Sequence, residues 1–558
     1  MASARLKEAK KVVEQMEAVR LPLLKRWELL SRYILPQRGI FPSSSDDAHS
    51  ILESRNKDIV TRIATSALKK SAAGFTGGMT PESLPWVKWH MRDVTLEERQ
   101  GVRIWLDIIE DSVRNLLKQA SFYQAIHTCN QEFLTFGCML LFMDSSPKTL
   151  CRFTCCTVGT YCVALNGDGE LDTVSRVVML SPRQLEQMFG KESLSSTTKT
   201  ALEKEPFKPI KVVHLVRPRE KFDPTKIDAK NMRFSSVFYE LDTNAEDILH
   251  EGGYHEKPYM FASWDDGLTF YGCGPGDDAL PDILQLQDME SQSLIAIDKM
   301  LNPPMRIPAN YKQAVNDFAH GLTPIAPNLD GHAISPLYNA NFELQPVALK
   351  IQEIINRINE TLLASVFTDM PLELRPKDMS ATEYMERKRE RLQMMGPTLA
   401  SYEPRVLVPV LERAYGILDR FGILPPAPEI LHLQPGSIVD FEFQSPLAQA
   451  MQSTKAAATK SLLFDIAQIA PIAPEALVKI DMEQAVDELA RGVGAPGRVV
   501  RSDDEVAAIK QAQAEQQQAL QQQAMQQQAT EQLTALASVP AGDDSMIGRI
   551  MGEGQNVQ

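Results

Sequence analysis

The sequence predicts an α+β protein that is mainly helical, and three observations support this fold class. Apolar residues recur at spacings of three and four from Val347 to Val366, which is the pattern of an amphipathic helix. Similar stripes occur before residue 138 and after residue 277, whereas residues 138–265 contain the short apolar and β-branched runs typical of strands. With 558 residues, the chain is long enough for several domains with substantial cores.

The N-terminal region begins with helices. They are predicted over residues 2–35, 54–73, 96–117 and 121–134. The second of these should end in the glycine-rich stretch Gly74–Gly78. Because that stretch lacks the lysine and the preceding strand of a phosphate-binding loop, a helix end is favoured over a nucleotide site.

A mixed β-sheet is predicted next. Its strands are expected over residues 138–143, 160–165, 171–179, 210–216, 237–241, 247–250 and 259–263. Asn166–Glu170 should form a hairpin turn, because the alternating ligands of a calcium-binding loop, which the stretch partly matches, are missing. Ser181 and Pro182 should begin a short, capped helix.

The rest of the chain is organised around a predicted helical hairpin. Its first helix should run from about Asp278 to Met300 and its second from Val347 to about Phe367. The insert between them, residues 302–345, is too long for a structureless loop within a compact domain. A small separate module at the tip of the hairpin is therefore expected, with β-like pieces at 305–307 and 342–344.

A loop over residues 368–379 connects the hairpin to a long helix. Ser380–Glu383 has the pattern of a capping box, and the helix should end at Gly422. Its interior contains three prolines: Pro397, Pro404 and Pro409. Because each proline removes a backbone donor, the sequence predicts a kinked helix with its main bend at Gly396–Pro397.

The C-terminal part should consist of short elements followed by a low-complexity helix. A strand-like segment is expected over 430–443, a helix over 446–469 and a small helical unit over 475–491. Residues 502–535 repeat Gln-Gln-Gln-Ala, and a five-residue repeat leaves a helix with little apolar surface to bury. The residues after 539 are predicted to be disordered.

Composition and motifs argue against several classes of protein. The net charge is −14, whereas a general nucleic-acid binder usually has a basic excess. No apolar run is long enough to span a bilayer. A phosphate-binding loop, a G-x-S-x-G elbow and an H-E-x-x-H pair are all absent from the sequence. We therefore expect no enzyme activity, no cofactor and no metal.

Seven cysteines, an odd number without the spacing of a disulfide scaffold, favour free thiols in a reducing compartment. Four of them cluster in the predicted β region: Cys151, Cys155, Cys156 and Cys162. A zinc site would need two Cys-x-x-Cys pairs or partner histidines. Buried thiols are therefore the default interpretation, with a zinc site as the weaker alternative.

Several short stretches occur in an order typical of one family. They are Trp27–Leu30, Tyr33–Pro36, Ala67–Pro81, Pro85–Trp86, Pro258–Tyr259 with Trp264, Tyr271–Pro275, Ala279–Pro281, Asn302–Pro304, and Thr382–Glu383 through Gly396–Pro397 to Phe421–Pro425. In this respect the sequence resembles the portal, or head-to-tail connector, proteins of short-tailed double-stranded DNA bacteriophages. It departs from them at Ser263, where an arginine is expected, and at Cys273, where a basic residue is frequent.

The resemblance implies a subunit of a ring, usually of twelve copies, with a central channel at one capsid vertex. The implied regions are an N-terminal wing of helices and mixed sheet (1–276), stem helix 1 (277–302), a clip (303–345), stem helix 2 (346–367), a tunnel loop (368–380), a long kinked helix with the wing return strand (381–445), a crown (446–500), a Gln/Ala-rich helix that extends the crown as a barrel (501–538), and a disordered tail (539–558).

The implied function is that of a portal protein. DNA would be packaged through the ring by the terminase and later ejected through it, and the ring would join head to tail. Implied partners are further copies of the chain, double-stranded DNA, the terminase large subunit, tail adaptor or tail tube proteins, and capsid and scaffold proteins, with no membrane. The protein would belong to the virion and pass through the host cytoplasm during assembly. An alternative is another adaptor protein of the head–tail junction, although the length and the helix–insert–helix order argue against it.

Three sets of candidate site residues follow from the resemblance to portal proteins. The DNA-channel candidates in the tunnel loop are Glu373, Arg375, Lys377 and Asp378. The clip candidates for contact with terminase or tail adaptor are Arg306, Tyr311, Lys312, His320, His332 and Tyr338. The subunit-contact candidates are Ile351, Ile354, Ile358, Leu362, Arg387 and Arg391. The alternating charges of residues 383–391 also suit a solvated helix face. The pattern leaves both interpretations open, a subunit contact and a face exposed to solvent.

Overall fold

The computed structural model describes most of the chain up to residue 444. The described ranges are 3–41, 48–57, 59–92, 100–146, 148–223, 228–241, 243–265, 269–301, 305–306, 335–336, 344–368, 396–428 and 439–444, with short pieces between 462 and 527. The chain separates into two compact units, Met1–Thr454 and Lys455–Gln558. Nearly all described residues belong to the first unit.

Helices form the N-terminal region, as predicted. They are α1 (Ala4–Arg20), α2 (Leu24–Tyr33), α3 (Ala48–Lys57), α4 (Ile63–Met79), α5 (Gln100–Gln119) and α6 (Phe122–Phe136). A 3₁₀ turn at Leu21–Leu23 separates the first two. Apolar residues of α1 pack on the five-stranded sheet described below in a small cluster of their own.

The prediction that Gly74–Gly78 ends a helix is wrong, because α4 continues through this stretch to Met79. The reason is a contact that lies far away in the sequence. A Cβ atom at position 74 would overlap Cβ and Cγ of the Phe367 side chain. Gly74 therefore allows two segments to approach closely and does not act as a helix terminator.

The strands form separate antiparallel sheets and not one mixed sheet; every described strand pair is antiparallel. The five-stranded sheet contains, in chain order, β4 (Tyr161–Leu165), β5 (Leu171–Leu180), β6 (Ile210–Pro218), β7 (Phe234–Glu240) and β8 (His250–Tyr254). The three-stranded sheet has the order β3 (Leu150–Cys156), β2 (Cys138–Ser146), β9 (Tyr259–Ser263).

Two predictions made from short motifs near these sheets are confirmed, a hairpin turn and a capped helix. The Asn166 side chain accepts hydrogen bonds from the amides of Asp168 and Glu170, at 3.0 and 2.8 Å, and this closes the β4–β5 hairpin. Ser181 and Gln184 form a capping box at the start of α7 (Pro182–Phe189). Helix α8 (Ser196–Lys204) and strand β3 were not predicted.

A further strand pair joins distant parts of the chain. Strand β1 (Val87–Met91) pairs with β12 (Val439–Phe443), and Val87 lies opposite Phe443. The sequence predicted a strand-like segment only for the second of these. Strand β1 has no neighbour nearby in the sequence, so its identity depends on a partner that folding brings to it.

Two large apolar clusters form the core, and β2 lies between them. Met139, Leu141 and Met143 belong to the first cluster, which also contains α5, α6 and the C-terminal helix α13 described below. Leu140 and Phe142 point the other way into the second cluster, with α2, α4 and the central helices. This two-residue alternation is the expected geometry of a strand buried on both faces.

The central helices are largely where the sequence predicts them. They are α9 (Pro275–Leu301), α10 (Leu344–Thr361), α11 (Ala364–Phe367), α12 (Gly396–Tyr402) and α13 (Val408–Arg420), and Gly422 follows the last of them with a φ of 66°. The second predicted helix is not continuous, because it breaks at Leu362–Leu363. In the insert, β10 (Met305–Arg306) pairs with β11 (Ser335–Pro336), and Leu344, at the end of the second predicted β-like piece, begins α10.

A π-helical turn at Glu403–Leu407 separates α12 from α13. Within the described part of the long helix, the regular hydrogen-bond ladder is therefore interrupted at Pro404, which has no N–H to donate. Pro409 lies in the first turn of α13, where its missing donor is tolerated. The sequence predicted the main bend at Gly396–Pro397. Residues 369–395, which precede it, lie outside the described part of the chain, so this bend stays a prediction.

Glu403 begins the π turn and is more than half buried, and burial raises the pKa of its carboxyl to about 6 from 4.5. Because the folded state binds this proton more tightly than the unfolded state, stability is lost as the pH rises from about 4.5 through the folded pKa of about 6. We expect Glu403→Gln to raise the melting temperature at pH 8 by roughly 1–3 °C and to have no effect at pH 4. Thermal melts at the two pH values test this. An equal gain at both would contradict it.

Candidate assembly interface

The base of the α9–α10 hairpin is fixed to the body of the chain. Arg357 of α10 forms an ion pair with Asp282 of α9 at 2.6 Å. The Gln287 side chain accepts hydrogen bonds from the amides of Val60 and Thr61 and donates one to the Thr61 carbonyl. The buried side chains of the base belong to the second core cluster and are Ala279, Ile283, Leu286, Ile354, Ile358 and Leu362.

This burial corrects part of the predicted subunit contact. Ile354, Ile358 and Leu362 are fully covered by the chain's own core, so they have no surface left for a second subunit in this conformation. Ile351 is half-buried against the same cluster. Arg387 and Arg391, the remaining subunit-contact candidates, lie outside the described residues.

The distal half of α9 has the opposite character. Leu294 is 57% exposed and Leu301 is 74% exposed, and other large apolar side chains beside them are also open to solvent. The exposed apolar residues of this distal segment, which we call the α9 tip, are Leu294, Ile295, Ile297, Met300 and Leu301. Successive residues point about 100° apart on a helix, so they cover more than one side of it.

An apolar surface of this kind is unusual for a free helix end. A helix that is apolar on several sides is normally buried, and contiguous exposed apolar patches mark interaction sites. Leu349, near the start of α10, is likewise largely exposed. The hairpin therefore combines a rigid base with an uncovered apolar tip, an arrangement suited to packing against another polypeptide.

Most of the predicted channel and clip residues lie outside the described part of the chain. These are Glu373, Arg375, Lys377, Asp378, Tyr311, Lys312, His320, His332 and Tyr338. Arg306 is described as a backbone position in β10, opposite Ser335. Of the predicted crown, only residues 462–464 are described, and they are helical. The described residues between 506 and 527 are also helical, and Met525 among them is exposed.

The two departures from the family pattern have defined contacts. The Ser263 hydroxyl accepts a hydrogen bond from the Arg405 guanidinium at 2.9 Å, which links β9 to the π turn. Cys273 lies 3.1 Å from the guanidinium of Arg26, which also forms an ion pair with Asp277 at the start of α9. Both positions thus join an arginine to the connection between β9 and the hairpin.

The cysteines are free, and most are buried, as predicted. Burial raises the pKa of the Cys162 thiol to about 11 and those of Cys138 and Cys151 to about 12, so they stay protonated at neutral pH. Within the part of the chain that the structure describes, no three His, Cys, Asp or Glu side chains are grouped so that they could hold a metal ion. Among these same residues, no helix has the length and apolar character that a membrane-spanning segment needs.

Comparison with known proteins agrees with this picture. The family model described as bacteriophage head to tail connecting protein matches residues 6–500. The chain belongs to this family. The resemblance predicted from the short motifs is thereby confirmed, and the match extends well beyond Pro425, where the last of these motifs ends.

Two curated relatives of this connector cover nearly its whole length. The probable portal protein of Bordetella phage BPP-1 is 28% identical over 504 residues, which is 90% of each chain. The portal protein of Salmonella phage epsilon15 is 27% identical over 519 residues, or 92% of each chain. A chain from the neck of an empty GTA particle, solved with C6 symmetry, aligns with a TM-score of 0.32 at 11% identity, over 76% of the connector and 92% of that chain.

Proposed function

We propose that this connector is a portal subunit. Copies of it form a ring at one capsid vertex, DNA enters and leaves the head through the channel of the ring, and the ring joins head to tail. The observation that carries the proposal is the match to two portal proteins over about nine-tenths of each chain, within a family that connects head to tail. Its role is structural, without catalysis of its own.

The hairpin supports assembly into a ring. Its base is held by core packing, the Arg357–Asp282 ion pair and the Gln287 contacts, whereas its α9 tip exposes apolar side chains. A closed ring buries equivalent surfaces of every subunit, and the neighbouring copy is the partner that we assign to the tip. We expect twelve copies.

The remaining regions fit further partners. The insert 303–345 would be the clip that meets the terminase large subunit and later the tail adaptor or tail tube. Residues 446–500 would form the crown on the capsid side, where capsid and scaffold proteins contact the ring. The assembled ring belongs to the virion and forms in the host cytoplasm. A tail adaptor is the alternative, but relatives of portal type match the connector along almost their whole length.

The acidic composition suits a conduit for DNA. Duplex DNA carries a charge about every 1.7 Å, and a strongly basic channel would hold its phosphates and slow its movement. With a net charge of −14, the connector would hold DNA weakly and rely on a few bases in the tunnel loop, among which we place Arg375 and Lys377.

Replacing Arg375 and Lys377 with alanine should leave ring assembly intact and change the retention or packaged length of DNA. The physical reason is that the loop would lose two phosphate contacts while the apolar subunit contacts remain. Packaged DNA length and leakage from filled heads are the quantities to measure. If both stay at the level of the unaltered protein, these two residues do not act on DNA.

The experiment that tests the portal function is the mass and shape of the purified connector. Light scattering should give the mass of about twelve subunits, and electron microscopy should show rings with a central hole. Because a monomer could still await a scaffold protein, the same measurement is repeated after co-expression with the scaffold. A compact dimer or trimer under both conditions would overturn the proposal and favour an adaptor.

A further inference from the structure

Leu363 has a backbone conformation that leucine rarely adopts. Its φ is 63° and its ψ 13°, in the left-handed region where a Cβ atom crowds the neighbouring carbonyl oxygen. Leu363 lies between α10 and α11 and packs against both large core clusters. A bulky residue stays in such a conformation only when surrounding contacts hold it there.

The local sequence favours a different conformation. Leu362 and Val366 continue the apolar spacing of α10, and no glycine or proline lies between Val347 and Phe367. A continuous helix would therefore relieve the strain at Leu363. It would also fix Phe367 about 140° round the helix axis from Leu362, and the Phe367 side chain would lie in a different place from the one it has beyond the break.

The break is held by two contacts with α4. The Ser71 hydroxyl donates to the Leu362 carbonyl at 2.5 Å. In a continuous helix that carbonyl would receive the amide of Val366, which instead donates to the Leu363 carbonyl at 3.1 Å. The Phe367 ring lies against Gly74, at the site where a Cβ atom would clash with it.

These contacts depend on the turn at Leu363. Ser71 and Gly74 are three residues apart on α4, so the same helix supplies the donor for Leu362 and the space for Phe367. Leu362 and Ala364 belong to the second core cluster, and Phe367 packs against the first. The chain thus crosses from one core to the other at the strained residue, where local preference and tertiary packing oppose each other.

We propose that the α10–α11 junction is a two-state hinge. In the state described here, α4 holds the break through Ser71 and Gly74. In the second state α10 continues as one helix to Phe367, Leu363 becomes right-handed, and the Phe367 ring leaves its place at Gly74. The exchange changes the direction in which the chain leaves this helix at Thr368. The hinge uses contacts within one chain and does not depend on ring assembly.

The test is a matched pair of variants in the full-length protein, Leu363→Gly and Leu363→Ala. Both remove the leucine side chain, but glycine accepts a positive φ whereas alanine favours the helix. In the continuous helix the amide of Ala364 would donate to the carbonyl of Glu360; at the break the Leu363 amide donates to that carbonyl at 2.9 Å. Residue-resolved hydrogen–deuterium exchange should be about tenfold slower at the Ala364 amide in Leu363→Ala than in Leu363→Gly.

Gly74→Ala provides an independent check. Because its methyl group occupies the place of the Phe367 ring, it should slow exchange at the Ala364 amide, as Leu363→Ala does. Equal exchange in the glycine and alanine variants would overturn the hinge. If Leu363→Ala does not fold, Leu363→Asn and Leu363→Gln form a second pair, because asparagine tolerates the left-handed region and glutamine favours the helix.

Discussion

Replacing Leu294 and Ile297 together with glutamate should abolish ring assembly and leave the subunit folded. Both side chains are exposed on the α9 tip, so the isolated subunit loses little when they change. If a neighbouring copy covers the tip, each subunit would have to bury two unpaired carboxylates, which is far more costly than burying leucine and isoleucine. We expect light scattering to give the mass of a single subunit at concentrations where the unaltered protein forms rings.

The control for this prediction keeps the positions and changes only the shape. Leu294→Met with Ile297→Val retains apolar side chains, and rings should still form. At a concentration low enough for all three proteins to be monomeric, both variants should have the melting temperature of the unaltered protein, which excludes misfolding as the cause. Rings of unchanged mass in the glutamate variant would show that the tip is not a subunit contact.

Arg38→Met should strongly lower the free energy of unfolding. The Arg38 guanidinium forms an ion pair at 2.6 Å with Glu132, whose side chain is fully buried. Glu132 also accepts a hydrogen bond from the Val158 amide at 3.1 Å, and Arg38 donates to the Cys155 carbonyl at 3.3 Å. Removing one partner of such a pair leaves an uncompensated buried charge and costs roughly 3–5 kcal/mol. Urea titration followed by tryptophan fluorescence measures the loss.

The matched control is the double substitution Arg38→Met with Glu132→Gln. It removes the charge together with its partner, and the carbonyl oxygen of the new glutamine side chain can still accept the hydrogen bond from the Val158 amide. Much of the lost stability should therefore return. A double variant as unstable as Arg38→Met would show that the arginine acts through packing and not through the ion pair.

The same pair predicts a pH dependence. Burial raises the pKa of the Glu132 carboxyl, and the loss of the Arg38 charge raises that pKa further. In Arg38→Met the folded state therefore binds the proton more tightly than the unfolded state, and stability is regained as the pH falls through the folded pKa. The free energy of unfolding of Arg38→Met should therefore rise from pH 8 to pH 5, and the double variant should lack this contribution because residue 132 no longer titrates.

Several elements were predictable because their cause lies within a few residues. The Asn166 side chain closes its own hairpin turn, and the Ser181–Gln184 capping box begins its own helix. The apolar spacing predicted α9 and α10 within three residues of their observed bounds, except that α10 ends at Thr361 and not near Phe367. Interactions of this kind are present in the unfolded chain as soon as neighbouring residues meet.

Other elements depended on partners far away in the sequence. Gly74 lies inside α4, where it leaves space for Phe367, and β1 is a strand because β12 pairs with it. The second central helix breaks at Leu363 although its spacing favours continuity, because Ser71 and the two cores hold it. No local pattern contains this information.

By itself the sequence determined the family, through the order of its short motifs, and the presence of the helical hairpin, through its apolar stripes. Only the tertiary structure decided which part of each stripe is buried within the chain and which part stays exposed. Ile283 and Leu286 at the base of α9 belong to the same predicted apolar stripe as Leu294 and Leu301 at its tip, yet the first two are buried and the last two exposed. The physical reason is that apolar spacing shows that a helix face will be covered, whereas what covers it depends on the rest of the fold.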